Sequence, residues 1–308
     1  MITRRLSRLL LAGLVLASLA LLPLVAAQAR AEICAVDALD REVCLERPAS
    51  RIAALSPGAT ELAFAAGAGE RVVAAVEYSD YPPEALKIPR VGSHNRLDLE
   101  RLLALTPDLV IGWVTGNPAE QLERLEALGM AVFYIEPRNF DEISATIEQL
   151  ARFADTREAG EAEAERFRRE IASLAERHAQ AEPVSVFYQV WDQPLMTIND
   201  RHWIGQVLQL CGGINVFGEL ERLAPRLDEE ALLAANPEVI LAGGRGEDNR
   251  DWLAHWRGYP SLTAVAQDNL FFVPPSLIQR PTPRLLEGTS MVCERLDQAR
   301  ARRGGHQQ

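Results

Sequence analysis

The sequence predicts an α/β protein of two Rossmann-like lobes with parallel sheets, joined by a single long rigid helix. Three observations predict it. Short apolar runs rich in β-branched residues alternate with amphipathic stretches after residue 50, the pattern of βα units. An Ala/Glu/Arg-rich segment from about Asp155 to Ala179, with no proline and one glycine, divides those runs into two groups. The stretch from Leu97 to Trp113 also recurs from Leu227 to Gly243, with Leu97/Leu227, Asp98/Asp228, Glu100/Glu230, Leu102/Leu232, Leu103/Leu233, Ala104/Ala234 and Pro107/Pro237 identical.

The chain begins with a segment that belongs to export rather than to the fold. Arg4, Arg5 and Arg8 precede an almost wholly apolar run from Leu9 to Ala27, which ends in the small-residue sites Ala27-Gln28-Ala29 and Ala29-Arg30-Ala31. A basic start, an apolar middle and an A-x-A site predict a cleaved signal peptide over residues 1–29. The competing expectation is a retained anchor, since the run is nearly long enough to span a bilayer. Pro23 and the small residues favour cleavage. A lipid-modified cysteine is not expected, because Cys34 follows Glu32 and Ile33 rather than small residues.

Export gives the four cysteines a meaning, because paired thiols persist in an oxidising compartment. Cys34 and Cys44 flank the turn-like Asp37-Ala38-Leu39-Asp40, so a disulfide is expected across an N-terminal hairpin segment, residues 30–50. That leaves Cys211 with Cys293. Metal binding or free thiols are the alternative, but no CxxC and no Cys/His cluster occurs.

The N-terminal lobe is expected at 51–154, with strands at Arg51 to Leu55, Val72 to Val76, Leu109 to Trp113 and Ala131 to Ile135. The linking helix follows at 155–180; about 23 helical residues would extend roughly 35 Å. The C-terminal lobe, 181–308, offers Val184 to Val190, Val239 to Ala242 and Leu270 to Val273. In each copy of the repeat an aspartate (Asp98, Asp228) can N-cap a short helix, a proline stops it, and a buried parallel strand follows. Glu100 and Glu230 then share a first-turn position, where a carboxylate complements the helix dipole.

Composition excludes some functions. With 32 Lys plus Arg against 43 Asp plus Glu, the net charge is −11. That lacks the basic footprint of a nucleic-acid binder, and 48% apolar with 24% charged residues is ordinary for a soluble globular protein. In open parallel sheets, ligands bind beyond the carboxyl ends of the strands. Those positions hold Ser56-Pro57-Gly58, Glu77 to Tyr81, Trp113, Trp191-Asp192, Gly243-Gly244 and Pro274 to Arg280. Trp113, Trp191, Tyr78 and Tyr81 would offer flat apolar walls to a large rigid ligand, with Arg280 for a polar or anionic group. The bland alternative is that both tryptophans finish the core; Trp203, Trp252 and Trp256, on predicted helices, are expected to serve packing.

Four blocks carry a family resemblance: Ser56 to Gly67 (SPGATELAFAAG), Tyr78 to Pro83 (YSDYPP), Leu99 to Arg101 with Pro107 to Ile111 (LER and PDLVI), and Gln206 to Gly213 (QVLQLCGG). Together they resemble the periplasmic cobalamin-binding proteins of ABC importers, members of the helical-backbone class of substrate-binding proteins. The resemblance covers the chain after about residue 50. It implies two lobes bridged by one rigid helix with little hinge closure, a periplasmic location, a monomer that does no chemistry, and delivery of cobalamin to an inner-membrane ABC permease dimer. Cobalamin enters as cargo; no cofactor and no metal ligand set is implied.

By the same resemblance Gly58, Tyr78, Trp113 and Arg280 stand at ligand-contacting positions, and Trp191 falls within one position of a family aromatic. His94, where the family has a tryptophan, is expected among the ligand-binding residues; Ala224 replaces another family tryptophan and Ser276 replaces an aspartate. Glu100 and Glu230 match glutamates that dock on permease arginines, and Cys211 with Cys293 matches a family disulfide, whereas Cys34 and Cys44 lie in an additional segment. A haem or ferric-siderophore receptor of the same fold is the main alternative, able to use Tyr78, Tyr81 and Arg280. A secreted metal-dependent enzyme is the remote one: no GxSxG, GxxxxGK[ST] or HExxH occurs, and the five histidines form no ligand-spaced pair.

Overall fold

The computed structural model describes residues 32–305, apart from 245 and 249. The expected signal peptide lies outside the described residues. Among the described residues no helix is long and apolar enough to cross a membrane.

The chain opens with an antiparallel hairpin, β1 (Ile33–Val36) and β2 (Glu42–Leu45), in which Cys34 and Cys44 stand directly opposite one another. Their sulfurs are bonded, with Cα atoms 4.1 Å apart. Asp37 shapes the turn by accepting hydrogen bonds from the Leu39 and Arg41 amides and from the Arg41 guanidinium. Arg41 also lies 4.4 Å over the Tyr134 ring, which pins the hairpin to the sheet behind it.

Two four-stranded sheets follow, and every pairing within them is parallel. The first runs in the order β4-β3-β7-β8, from β3 (Ile52–Ala54), β4 (Val72–Ala75), β7 (Leu109–Trp113) and β8 (Val132–Ile135). The second runs β10-β9-β11-β12, from β9 (Val184–Gln189), β10 (Gly213–Asn215), β11 (Val239–Ala242) and β12 (Leu270–Phe272). Renumbered within its own sheet, each reads 2-1-3-4. The sequence repeat falls on the same unit in both: α2 (Leu99–Ala104) leads into β7, and α7 (Glu229–Ala235) leads into β11. Asp98 and Asp228 cap these helices as expected, accepting from the Arg101 amide at 3.0 Å and the Ala231 amide at 2.8 Å.

The remaining helices pack on the sheets. They are α1 (Pro57–Ala65), α3 (Ala119–Ala127), α4 (Phe140–Phe153), α5 (Arg157–His178), α6 (Trp203–Leu210), α8 (Asp251–Trp256), α9 (Thr263–Ala266), α10 (Pro275–Ile278) and α11 (Leu285–Gly305). The linking helix is α5. It is polar except for one stripe, Gly160, Ala164, Phe167, Ile171 and Leu174, whose 4-3-4-3 spacing keeps these residues on one face. That stripe packs into a core that also holds Ile52, Leu109 and Phe133 of the first sheet and Val184, Tyr188 and Val239 of the second. One continuous apolar core therefore runs beneath both sheets, and the helix is embedded in it.

The second disulfide, Cys211 to Cys293, ties the end of α6 to α11 with Cα atoms 4.7 Å apart. Two strand pieces escaped sequence analysis. β10 is three residues beginning at Gly213, directly after Cys-Gly, which reads as a helix end. The other is the two-residue ladder of β5 (Gly92–Ser93) and β6 (Arg96–Leu97), too short to show periodicity.

Candidate functional site

In the order 2-1-3-4 the strands are added to opposite sides of the first one, so the connections diverge between the first and third strand of each sheet, where a crevice opens at the carboxyl edge. A cleft of about 310 Å³ lies there. It is lined on one side by residues following β3, β4, β7 and β8, among them Gly58, Tyr78, Trp113 and Pro137, and on the other by Glu247, Ser276, Gln279 and Arg280. Three other hollows, of about 370, 410 and 450 Å³, are larger, but none is lined by Tyr78 or Trp113.

Each wall residue is placed by local chemistry. Ser56 caps α1, its hydroxyl accepting from the Ala59 amide at 3.0 Å, and Pro57 starts the helix, so Gly58 faces the cleft from the first turn. A Cβ on Gly58 would lie at ordinary contact distance, 3.7 Å, from Thr282 Cγ2, which places this first turn beside the segment that follows the second sheet. Tyr78 has φ 63°, a left-handed conformation rare for an aromatic residue. Its side chain is 73% exposed at the cleft. Backbone strain of this kind concentrates at binding sites.

Trp113 ends β7, and its ring lies over Gly116, where any Cβ would come within 1.8 Å of Trp113 Cε3. His94 sits at the β5–β6 turn with its ring 5.8 Å from that of Trp113, tilted by 47°. Behind both stands Asn117, buried. Its amide donates to the carbonyls of Leu55 (2.8 Å) and His94 (2.7 Å), and its oxygen accepts from the Trp113 amide at 2.7 Å. One side chain thereby joins the end of β3, the end of β7 and the turn bearing His94.

On the facing wall, Gln279 approaches the bare backbone of Gly243, where a Cβ would sit 2.4 Å from Gln279 Nε2. Ser276 donates its hydroxyl hydrogen to Glu247 Oε2 at 2.7 Å, and its amide donates to Oε1 at 3.2 Å. Gln279 also reaches the hydroxyl of Tyr188 at 3.4 Å. Burial holds that phenol well above its ordinary pKa, so it stays neutral.

Trp191 and Arg280 stand differently from the other expected site residues. Trp191 does not line the cleft. Its ring meets Trp252 edge-on at 6.0 Å and its indole N–H donates to the Gln193 carbonyl at 3.1 Å, because residue 191 turns into the loop pairing with Met196. Arg280 does line the cleft, but its guanidinium is already engaged: it donates to Glu61 at 2.9 Å, to Asp80 at 2.8 Å and to the Tyr78 carbonyl at 3.2 Å. Desolvation opposes the charge on Arg280, yet its bonds to Asp80 and Glu61 outweigh that and raise its pKa. Asp80 shows the converse, burial pushing it up while Arg280 pulls it net below its ordinary value.

Glu61 is the centre of this arrangement and was not singled out from the sequence. Its carboxylate, 2% exposed, accepts from Arg280, from the Thr282 hydroxyl at 2.8 Å and from Arg284 at 2.6 and 3.0 Å. Arg284 in turn lies 4.1 Å over the Tyr81 ring. The signal was present in PGATELAFA, an otherwise apolar helix with one carboxylate, since such a group is buried only with partners.

Glu100 and Glu230 lie away from the cleft lining, both exposed in the first turns of α2 and α7. Each helix runs antiparallel to the strand it feeds, so both carboxylates stand at the carboxyl edge of their sheets. Among the described residues, the one His/Cys/Asp/Glu group close enough to share an ion is Glu32 with Cys34 and Cys44, and those sulfurs are bonded to each other.

Two parallel sheets of the same order stand over a continuous core, with an aromatic cleft at their carboxyl edges. A sequence profile described as periplasmic binding protein matches residues 52–277, and the chain belongs to that family. It is 37% identical over 246 residues to a vitamin B12-binding protein of Vibrio cholerae, covering 80% of this chain and 88% of the relative. A vitamin B12-binding protein of Yersinia pestis is 34% identical over 248 residues, covering 80% and 86%. The crystal structure of the periplasmic vitamin B12-binding protein of Vibrio cholerae superposes with a TM-score of 0.75, covering 82% of this chain and 98% of that one. A periplasmic heme-binding protein from Roseiflexus gives 0.73 at 25% identity, covering 81% and 98%.

Proposed function

We propose that this protein captures cobalamin, or a close corrinoid, in the cleft between its two sheets and delivers it to an ABC permease in the inner membrane. The observation that carries the proposal is the convergence of Tyr78, Trp113 and His94 on one open cleft at the sheet edges, opposite the polar wall of Ser276, Gln279 and Glu247. Flat apolar faces suit the corrin plane, and the polar wall suits the amides at its periphery. The relatives named above, at 34–37% identity, support the same cargo. Binding requires no bond-making, so the protein acts as a carrier.

Titration with cyanocobalamin, haem and a siderophore panel, followed by tryptophan fluorescence, tests the cargo. The expected result is a saturable response to cyanocobalamin, weakened at least tenfold in Trp113→Ala. No cyanocobalamin response beside tight haem binding would transfer the assignment to a haem receptor.

Glu100 and Glu230 are the permease-docking residues of this proposal, one on each copy of the repeated unit. In Glu100→Arg with Glu230→Arg, ligand affinity stays within twofold and uptake is abolished; unchanged uptake would leave both glutamates with only their helix-end role. The proposal also holds that residues 1–29 are removed on export to the periplasm and that the mature chain is a monomer. The mass of the purified mature protein, intact and native, reads both.

A further inference from the structure

Among the described residues lining the cleft, Arg280 is the one Lys or Arg side chain, and it is committed before any ligand arrives. Glu61 and Asp80 hold the same Nη1 at 2.9 and 2.8 Å, and the Tyr78 carbonyl occupies Nη2. Glu61 is shared with Arg284, so the cluster of two arginines and two carboxylates is neutral as a whole. Glu247 adds a carboxylate to the same wall as Arg280. A ligand carboxylate entering this cleft would have to displace Asp80 or Glu61 from Arg280 and would meet the Glu247 carboxylate, whereas an amide can donate to Glu247 at no charge cost.

We propose that Asp80 and Glu61 are specificity-determining residues: by neutralising Arg280 they select tetrapyrroles whose peripheral groups are amides and reject those that carry free carboxylates. The cargo side of this statement rests on the corrinoid assignment above; the rejection of carboxylates does not. Asp80 is the lever, because its side chain is 48% exposed and lies outside the cleft lining, while Glu61 is buried among its partners. Asp80→Asn keeps the shape and a hydrogen-bond acceptor but removes one negative charge, so Arg280 acquires net positive charge toward the cleft.

The test compares ferric haem, which has two propionates, with its dimethyl ester, which has none, followed at the Soret band. In Asp80→Asn the Kd for haem is expected to fall at least tenfold relative to the unaltered protein, about 1.4 kcal/mol. The Kd for the ester is expected to move less than threefold, and the haem gain to shrink as salt is raised, because the released charge is partly exposed. Arg280→Gln in the Asp80→Asn background should erase the gain. An unchanged haem Kd in Asp80→Asn, or an equal gain for the ester, overturns the proposal. Cyanocobalamin binding by the unaltered protein is read separately, so failure of the corrinoid assignment is not confused with failure of the charge selection.

Discussion

Glu61 Oε1 lies 2.6 Å from Arg284 Nη2, and this ion pair joins the helix that follows the first strand of one sheet to the segment that follows the last strand of the other. With Arg280 and Thr282 on the same carboxylate, one buried side chain ties together groups from both sheets behind the cleft lining. The surface pairs on α5, such as Arg169 with Glu165, are exposed and contribute little by comparison.

Removing Glu61 leaves two arginines, 16% and 18% exposed, without their shared counter-charge. Breaking a buried pair from one side typically costs about 3–5 kcal/mol. Glu61→Ala should therefore lower Tm markedly in thermal unfolding, whereas Glu165→Ala should change stability by less than about 1 kcal/mol. Equal effects of the two would remove the clasp from this account.

Asn117→Ala removes three hydrogen bonds at once and orphans the buried Leu55 carbonyl. Leaving buried groups unsatisfied costs about 1–3 kcal/mol each. The turns bearing Trp113 and His94 should also loosen, so the variant is expected to lose both stability and cyanocobalamin affinity, the latter at least tenfold by fluorescence titration. Asn117→Asp keeps the shape and the acceptor but turns a carboxylate oxygen toward the Leu55 and His94 carbonyls, and should be at least as destabilising as the alanine variant.

His202 caps α6, its Nδ1 accepting from the Ile204 amide at 3.1 Å with its ring stacked 3.8 Å from that of Trp203. Desolvation lowers its pKa from 6.5 to about 4. A histidine depressed on folding contributes stability that is complete above its unfolded pKa and is lost as pH falls from about 6.5 toward 4. The ring is partly exposed, so the loss is at most about 3 kcal/mol. Urea midpoints taken between pH 7.5 and 4.5 should fall steeply in the natural protein. They should fall less in His202→Asn, which keeps a capping side chain without the titration; parallel curves would remove His202 as the cause.

The two disulfides differ in the loops they close, 82 residues for Cys211–Cys293 and 10 for Cys34–Cys44. On the chain-entropy account these are worth about 4.5 and about 2.7 kcal/mol. Cys211→Ala with Cys293→Ala should lower the denaturation midpoint more than Cys34→Ala with Cys44→Ala, and the second pair should leave ligand affinity intact, since the hairpin stands outside the cleft. A larger loss from the hairpin pair would place its docking on Tyr134 ahead of loop entropy.

What could be read from residues alone follows from the range of the interaction. The repeat from Leu97 and Leu227 located the third strand of each sheet because cap, stop and buried run are all local signals. The linking helix was legible for the same reason, and the edge rule led to Gly58, Tyr78 and Trp113 because strand ends are marked in sequence. Glu61 with Arg280 and Arg284 was out of reach, since partners more than two hundred positions apart are brought together only by the packed fold. The edge rule says where a strand ends and not which way the following loop turns; at Trp191, pairing with Met196 carries the ring toward Trp252 and outside the cleft lining.

Gly160 gives the sharpest test of how tightly the linking helix is held. It lies where α5 crosses α4, and a Cβ there would come 2.2 Å from Ala151 Cβ and 3.4 Å from the Ile147 carbonyl. Alanine in place of glycine should favour an isolated helix by about 0.8–1 kcal/mol, while forcing a methyl into a packed seam costs about 1–3 kcal/mol. The packing cost is the larger, so Gly160→Ala should destabilise the protein slightly, and Gly160→Leu severely. Ala151→Gly vacates the opposing methyl, so the double variant Gly160→Ala with Ala151→Gly should recover most of what Gly160→Ala loses. A coupling of at least about 0.5 kcal/mol in that cycle, from urea unfolding, marks the two residues as touching; additive effects would mean that α4 and α5 are free to move apart.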